Sequence, residues 1–129
     1  MIDKLPPQSI DSEQAILGGI ILDPHAISRV SHILIPEAFY IKAHQQIYSC
    51  TLDLHYAGKP TDLLAVTNWL LDHDLLMQIG GRNKLAWLVD STVSAVNIDI
   101  LAELVIEKYT RRQLIRFANE VLNMAYQTY

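Results

Sequence analysis

The chain has 129 residues, half of them apolar and about a fifth charged, with ten basic side chains against fourteen acidic ones and a formal net charge of −4. That is the composition of one globular domain able to bury a core without staples, and it excludes a disordered tail. A domain that grips nucleic acid mainly through phosphates leans basic, whereas this one leans acidic, which favours protein partners.

The pattern is helical almost throughout. Ser9 is placed to cap a first helix that carries Ile16, Leu17, Ile20 and Ile21 at i,i+4 spacing. Two adjacent glycines, Gly18 and Gly19, interrupt it, each costing about 1 kcal/mol relative to alanine inside a helix. Asp23-Pro24 stops that helix and starts a second, with Ile27, Val30, Ile33 and Leu34 on one face. Pro36 breaks the pattern, and in "PEAFY" Phe39 and Tyr40 plug a core edge. A third helix turns Ile47, Leu52, Leu54 and Tyr56 inward and ends at Gly58. Asp62 caps a fourth bearing Leu63, Leu64, Val66, Trp69 and Leu70, and "GGRNKLAWLVD" opens a short fifth with Leu85, Leu88 and Val89.

After the polar link "STVSAVN", the stretch from Asn97 to Tyr126 contains neither proline nor glycine. Thirty helical residues span about 45 Å, longer than so small a head can cover. Its apolar positions fall into two sets: Ile98, Leu101, Val105 and Tyr109, then Leu114, Ile115, Ala118, Val121 and Leu122. The chain reaches Tyr129 without a C-cap signal, so the helix reads as cut rather than finished. No segment alternates as a strand does. The expected fold is all-α: a compact multi-helix head over residues 1–92, then a linker turn and one long helix over 93–129.

A search for chemistry finds no catalytic constellation. "LGGIILD" lacks the lysine and hydroxyl of a phosphate loop, and "GGRNKLA" has the wrong spacing and no preceding strand. His25, His32, His44, His55 and His73 show no metal-ligand spacing, and the lone Cys50 reads as a small core residue. "DHD" at Asp72 to Asp74 reads as a solvated helix end, since adjacent helical residues point apart. "MIDKLPPQSIDSEQ" has no apolar core after a basic start, and no run approaches the roughly 20 residues of a membrane span. A cytoplasmic protein is expected. The glycines therefore read as a close helix crossing.

One charged feature stands out. Lys108, Arg112 and Arg116 stand four apart and are candidate contacts for an acidic partner or phosphate. Ordinary i,i+4 pairs, Glu107 with Arg111 and Arg116 with Glu120, account for much of the same charge.

The ordered set "LPPQSIDSEQAILGGIILDP", "EAFYIKAHQQIY", "GKPTDLLAV", "IGG", "STVSAVNIDILAELVIEKYTRRQLI" and "ANEVLNMAY" resembles the N-terminal domain of bacterial DnaB-type replicative DNA helicases. The match runs in register over nearly the whole chain. Val93, where that family often has proline, is a small departure.

The resemblance implies that the long helix is the first arm of a helical hairpin whose second arm lies beyond this sequence. It implies a collar of six such domains, a trimer of dimers, that recruits a DnaG-type primase. It further implies single-stranded DNA, and room for a helicase loader, as partners of the parent hexamer, and no membrane. ATP-driven 5′→3′ unwinding, with ATP and Mg2+, would belong to an absent C-terminal RecA-like domain. This segment itself would carry no catalytic residue and no cofactor. Ile98, Leu101, Val105, Tyr109, Leu114, Ile115, Ala118 and Leu122 are then expected to pack against hairpin helices, their own and a neighbour's. The alternative is a free-standing dimeric helical adaptor or regulatory protein.

Overall fold

The structure, a computed structural model, describes residues 4–127. Its elements are α1 (Ile10–Leu22), α2 (Lys42–Tyr56), α3 (Leu63–Asp72), α4 (Gly81–Asp90) and α5 (Ile98–Tyr126), with 3-10 segments at Pro24–Arg29 and Pro36–Ala38. There is no strand among the described residues, and the all-α expectation holds.

α1 is the axis of the head. Ile16, Leu17 and Ile20 have no exposed surface and Ile21 almost none, so the helix is covered on nearly every side, as an evenly apolar helix must be. α4 and α5 lie against it most extensively, with α2 and α3 closing the core around Ile47, Tyr48, Val66, Leu70, Leu85 and Leu88. The glycine pair answers to this crowding. A Cβ on Gly18 would stand inside van der Waals contact of Thr92 Oγ1 and of the Leu88 carbonyl oxygen, at the end of α4. Gly19 is milder: its Cβ would come 3.2 Å from that of Ala95. The close crossing is real, and Gly18 carries most of it.

Several local expectations shift. The second helix is a tighter 3-10 winding, with Ala26 N donating to the Asp23 carbonyl and Val30 N to that of Ile27. Short connecting pieces wind this way. Ile27, Val30 and Leu34 are buried as expected, but Ile33 is exposed. Tyr56, Leu63 and Leu64 are also exposed rather than inward, because the inward faces of α2 and α3 run through Ile47, Thr51 and Leu54, and through Val66 and Leu70. Ser9 caps no backbone N–H; its hydroxyl donates to Ser12 Oγ at 2.7 Å. Asp62 does cap α3, accepting from Ala65 N at 3.3 Å. α2 ends as predicted, at Gly58 with φ +73°, where Lys59 N reaches back to the Leu54 carbonyl at 2.8 Å.

The link between α4 and α5 is pinned from a distance. Arg29 donates to the carbonyls of Ala95 at 3.3 Å and Val96 at 3.0 Å and pairs with Asp99. This sets where α5 leaves the head.

Cys50 is fully buried, as its place in the apolar pattern implied. Burial, with Asp53 adding a smaller push, raises its thiol to about 12. Only the thiolate is nucleophilic. At pH 8 iodoacetamide should therefore label Cys50 at least a hundredfold more slowly in the folded chain than in urea, as mass spectrometry of timed samples would show. Equal rates would mean that the core opens freely.

Candidate assembly surface and groove

α5 divides at Arg112. On the head side, Ile98, Ala102 and Val105 are buried, and Leu101, Ile106 and Tyr109 are partly buried against the core. The expected role of Ile98 and Val105 in packing on hairpin helices is thus corrected: the head covers them, with Ile98 close to Gly19. Leu101 and Tyr109 are mostly consumed in the same way. Beyond Arg112 every described residue of the chain is exposed. Leu114 is 62%, Ile115 49% and Leu122 52% exposed, and Ala118 lies among them. Val121, 49% exposed, lies on this face as its spacing predicts, and Phe117 and Met124, both 64% exposed, widen it further.

Arg112 is the last anchor. Its guanidinium donates to the carbonyls of Pro7 at 2.8 Å and Ala38 at 2.7 Å, and it lies 5.4 Å from the Tyr40 ring centroid and 5.7 Å from that of Tyr109. It therefore ties the middle of α5 to two head segments far away in the chain.

The corner that Arg112 grips is held from its other side by Glu13, on α1. The Glu13 carboxylate accepts from Tyr40 N at 2.7 Å and Ile41 N at 3.3 Å, and meets His44 Nδ1 at 2.8 Å. Both side chains are 1% exposed, and His44 Nε2 has no hydrogen-bond partner. With the Glu13 carboxylate as acceptor, Nδ1 is the donor of this contact, and Nε2 is left buried without a partner. Glu13 thus serves the unpaired N–H groups where α2 begins. Neither Glu13 nor Arg29 was singled out by periodicity or spacing.

Between the head and the departing α5 lies a groove of about 550 Å³. Pro6, Phe39, Tyr40 and Gln45 form its head wall, and the face of α5 from Tyr109 through Arg116 to Asn123 forms the other. Of the basic stripe, Arg112 and Arg116 line this groove and Lys108 does not. Glu107 pairs with Arg111 at 3.0 Å as expected, but the Arg116–Glu120 pair does not form among the described residues.

Among the described residues no group of three or more His, Cys, Asp or Glu side chains is placed to hold a metal ion. No described helix is long and apolar enough to cross a membrane. The "DHD" segment is an ordinary helix end, with His73 stacked on Trp69 at 3.7 Å and bonded to its carbonyl at 2.7 Å.

Residues 5–107 match the family model described as the DnaB-like helicase N terminal domain. The chain is 66% identical over 126 residues to the replicative DNA helicase DnaB of a Nostoc species; the match covers 98% of this chain and 14% of that protein. Among solved structures, the N-terminal domain of DnaB helicase from Mycobacterium tuberculosis superposes with a TM-score of 0.91 at 37% identity, over 95% of this chain and 87% of that one. A structure of a DnaB-like replicative helicase and its interactions with primase is 28% identical with a TM-score of 0.79, over 89% of this chain and 27% of that one.

Proposed function

Because this chain belongs to the family of DnaB-like helicase N-terminal domains, we propose that it works as the assembly collar of a hexameric replicative helicase. The observation that carries the reading is the outer half of α5. A helix exposing Leu114, Ile115, Phe117, Val121 and Leu122 in an otherwise well-packed domain is apolar surface in search of cover.

In this reading Leu114, Ile115, Ala118 and Leu122 pack on hairpin helices of the same and neighbouring subunits, six copies forming a trimer of dimers. Residues 1–92 act as the head and 93–129 as the linker and first hairpin arm. The related helicase described with its interactions with primase supports a DnaG-type primase as the partner recruited. Unwinding of DNA in the 5′→3′ direction, with ATP, Mg2+, single-stranded DNA and a loader, is the work of the whole cytoplasmic protein, of which this chain supplies the non-catalytic part.

Sedimentation over a wide concentration range tests the assembly surface. The chain should self-associate, and Leu114→Glu and Ile115→Glu should each weaken association about tenfold or more, as charge at an interface centre does. Their melting temperatures should stay near that of the parent chain, since both residues are exposed. A chain that stays monomeric at high concentration, with the variants indistinguishable from it, would overturn the reading.

A further inference from the structure

The short strap from Ala38 to Ile41 is gripped from three helices at once. Arg112 of α5 donates to the Ala38 carbonyl at 2.7 Å, and Gln45 of α2 donates to the Phe39 carbonyl at 2.7 Å. Glu13 of α1 accepts from Tyr40 N at 2.7 Å and Ile41 N at 3.3 Å. The first three of these grips fall on adjacent peptide planes. The Ala38 carbonyl belongs to one plane, and the Phe39 carbonyl and Tyr40 N belong to the next. Each plane is rigid, so only the φ and ψ of Phe39 lie between what Arg112 holds and what Glu13 holds.

Phe39 has little freedom to absorb a displacement. Its side chain is buried, and its ring lies 5.0 Å from that of Tyr48, whose hydroxyl donates to the Leu34 carbonyl at 2.7 Å. Close-packed interiors pass such a displacement on. A second contact runs beside the first, because the Arg112 guanidinium lies 5.4 Å from the Tyr40 ring centroid. On the other side of the strap, His44 of α2 meets the Glu13 carboxylate at 2.8 Å, so α1 and α2 together set where that carboxylate stands.

We infer that Glu13 is a positioning residue for the outer half of α5, although its side chain bonds no residue of α5 among those described. Through the two peptide planes at Phe39, its carboxylate fixes where Arg112 finds the Ala38 carbonyl. That fixes the orientation in which the exposed helix beyond Arg112 leaves the head. His44 shares the role by holding the carboxylate. A shift of α1 against α2 at this point is thereby passed to the part of α5 that the head does not cover. The inference concerns a single chain and stands whether or not copies assemble.

The test compares Glu13→Gln and Arg112→Met, which keep most of each side chain's volume, singly and together. Coupling between two sites is reciprocal, so each end is read while the other is changed. Arg112→Met should speed hydrogen exchange at the Tyr40 and Ile41 amides by about tenfold or more, although Arg112 bonds neither. Spin labels at Asn83→Cys on α4 and Met124→Cys on outer α5 report the orientation, in chains diluted with unlabelled protein. Both sites are exposed, and Cys50 is buried away from the reagent. Glu13→Gln should shift or broaden the distance by about 2 Å or more, the step from a direct to a water-bridged hydrogen bond. Arg112→Met should do the same, and the double variant should go no further than either alone. Asp62→Ala, which removes the α3 cap and touches no bond of the strap, controls for lost stability and should leave both readouts at their parent values. An unchanged distance in Glu13→Gln overturns the inference, as do unchanged exchange in Arg112→Met and effects that add in the double variant. An equal response to Asp62→Ala overturns it too, since lost stability would then account for both readouts. Should Glu13→Gln fail to fold, the exchange of Tyr40 and Ile41 in Arg112→Met decides alone.

Discussion

Gly18→Ala should destabilise the fold by roughly 3 kcal/mol or more, lowering Tm by about 10 °C, although alanine is the better helix former. The added methyl meets the Leu88 carbonyl, a backbone atom in α4 that cannot rotate aside, and the hydroxyl of Thr92, which is itself bonded to that carbonyl at 2.8 Å. Shortening Thr92 should therefore not rescue the variant. Gly19→Ala is the internal control. Its methyl would sit 3.2 Å from Ala95 Cβ, in the link before α5, where a few tenths of an ångström can be yielded. Gain in helix propensity and loss from crowding should nearly cancel there, to within about 1 kcal/mol. Thermal unfolding of the two variants side by side decides it; equal Tm values would remove the close crossing as the reason for the glycines.

Glu13→Ala should be about as damaging, at roughly 4 kcal/mol, because it strips three buried donors of their acceptor at once. Tyr40 N, Ile41 N and His44 Nδ1 all converge on this one carboxylate, and the site is closed off from bulk solvent, both Glu13 and His44 being 1% exposed. His44→Leu should cost less, since it also removes the unpartnered Nε2. In urea unfolding the double variant should be more stable than the sum of the single losses predicts, as residues sharing one network are. Strict additivity would show that the two side chains do not act together.

The order of elements, the Asp62 cap, the Gly58 stop and the long uninterrupted α5 were legible in the sequence because each rests on neighbours within a few residues. The 3-10 winding of Pro24–Arg29 was not, since Ile27, Val30 and Leu34 satisfy a helical period in either form. The outer apolar face of α5 could be read from periodicity, but not the point at which the head stops covering the helix. That point is fixed by Arg112 reaching Pro7 and Ala38, 105 and 74 residues away in the chain. Glu13 escaped for the same reason: its partners lie 27 to 31 residues on, and a lone acid in a buried helix has no local pattern to announce it. Arg112 and Arg116 were picked out by spacing, while the wall opposite them comes from the folded corner around Tyr40.

Mechanically, α5 is a cantilever clamped at Arg112. The helix that follows runs to Tyr126, a free length of roughly 20 Å. A tilt of only about 5° at the clamp sweeps its tip through about 2 Å at that length. Leu122, near the tip, moves further than Leu114, near the clamp, so the apolar face changes its direction as well as its position. A displacement of the Pro7 or Ala38 carbonyl too small to disturb the core is thus magnified where copies of the chain would meet. In the proposed collar, the hold of Arg112 on the Pro7 and Ala38 carbonyls would set the angle at which the apolar faces of neighbouring copies meet.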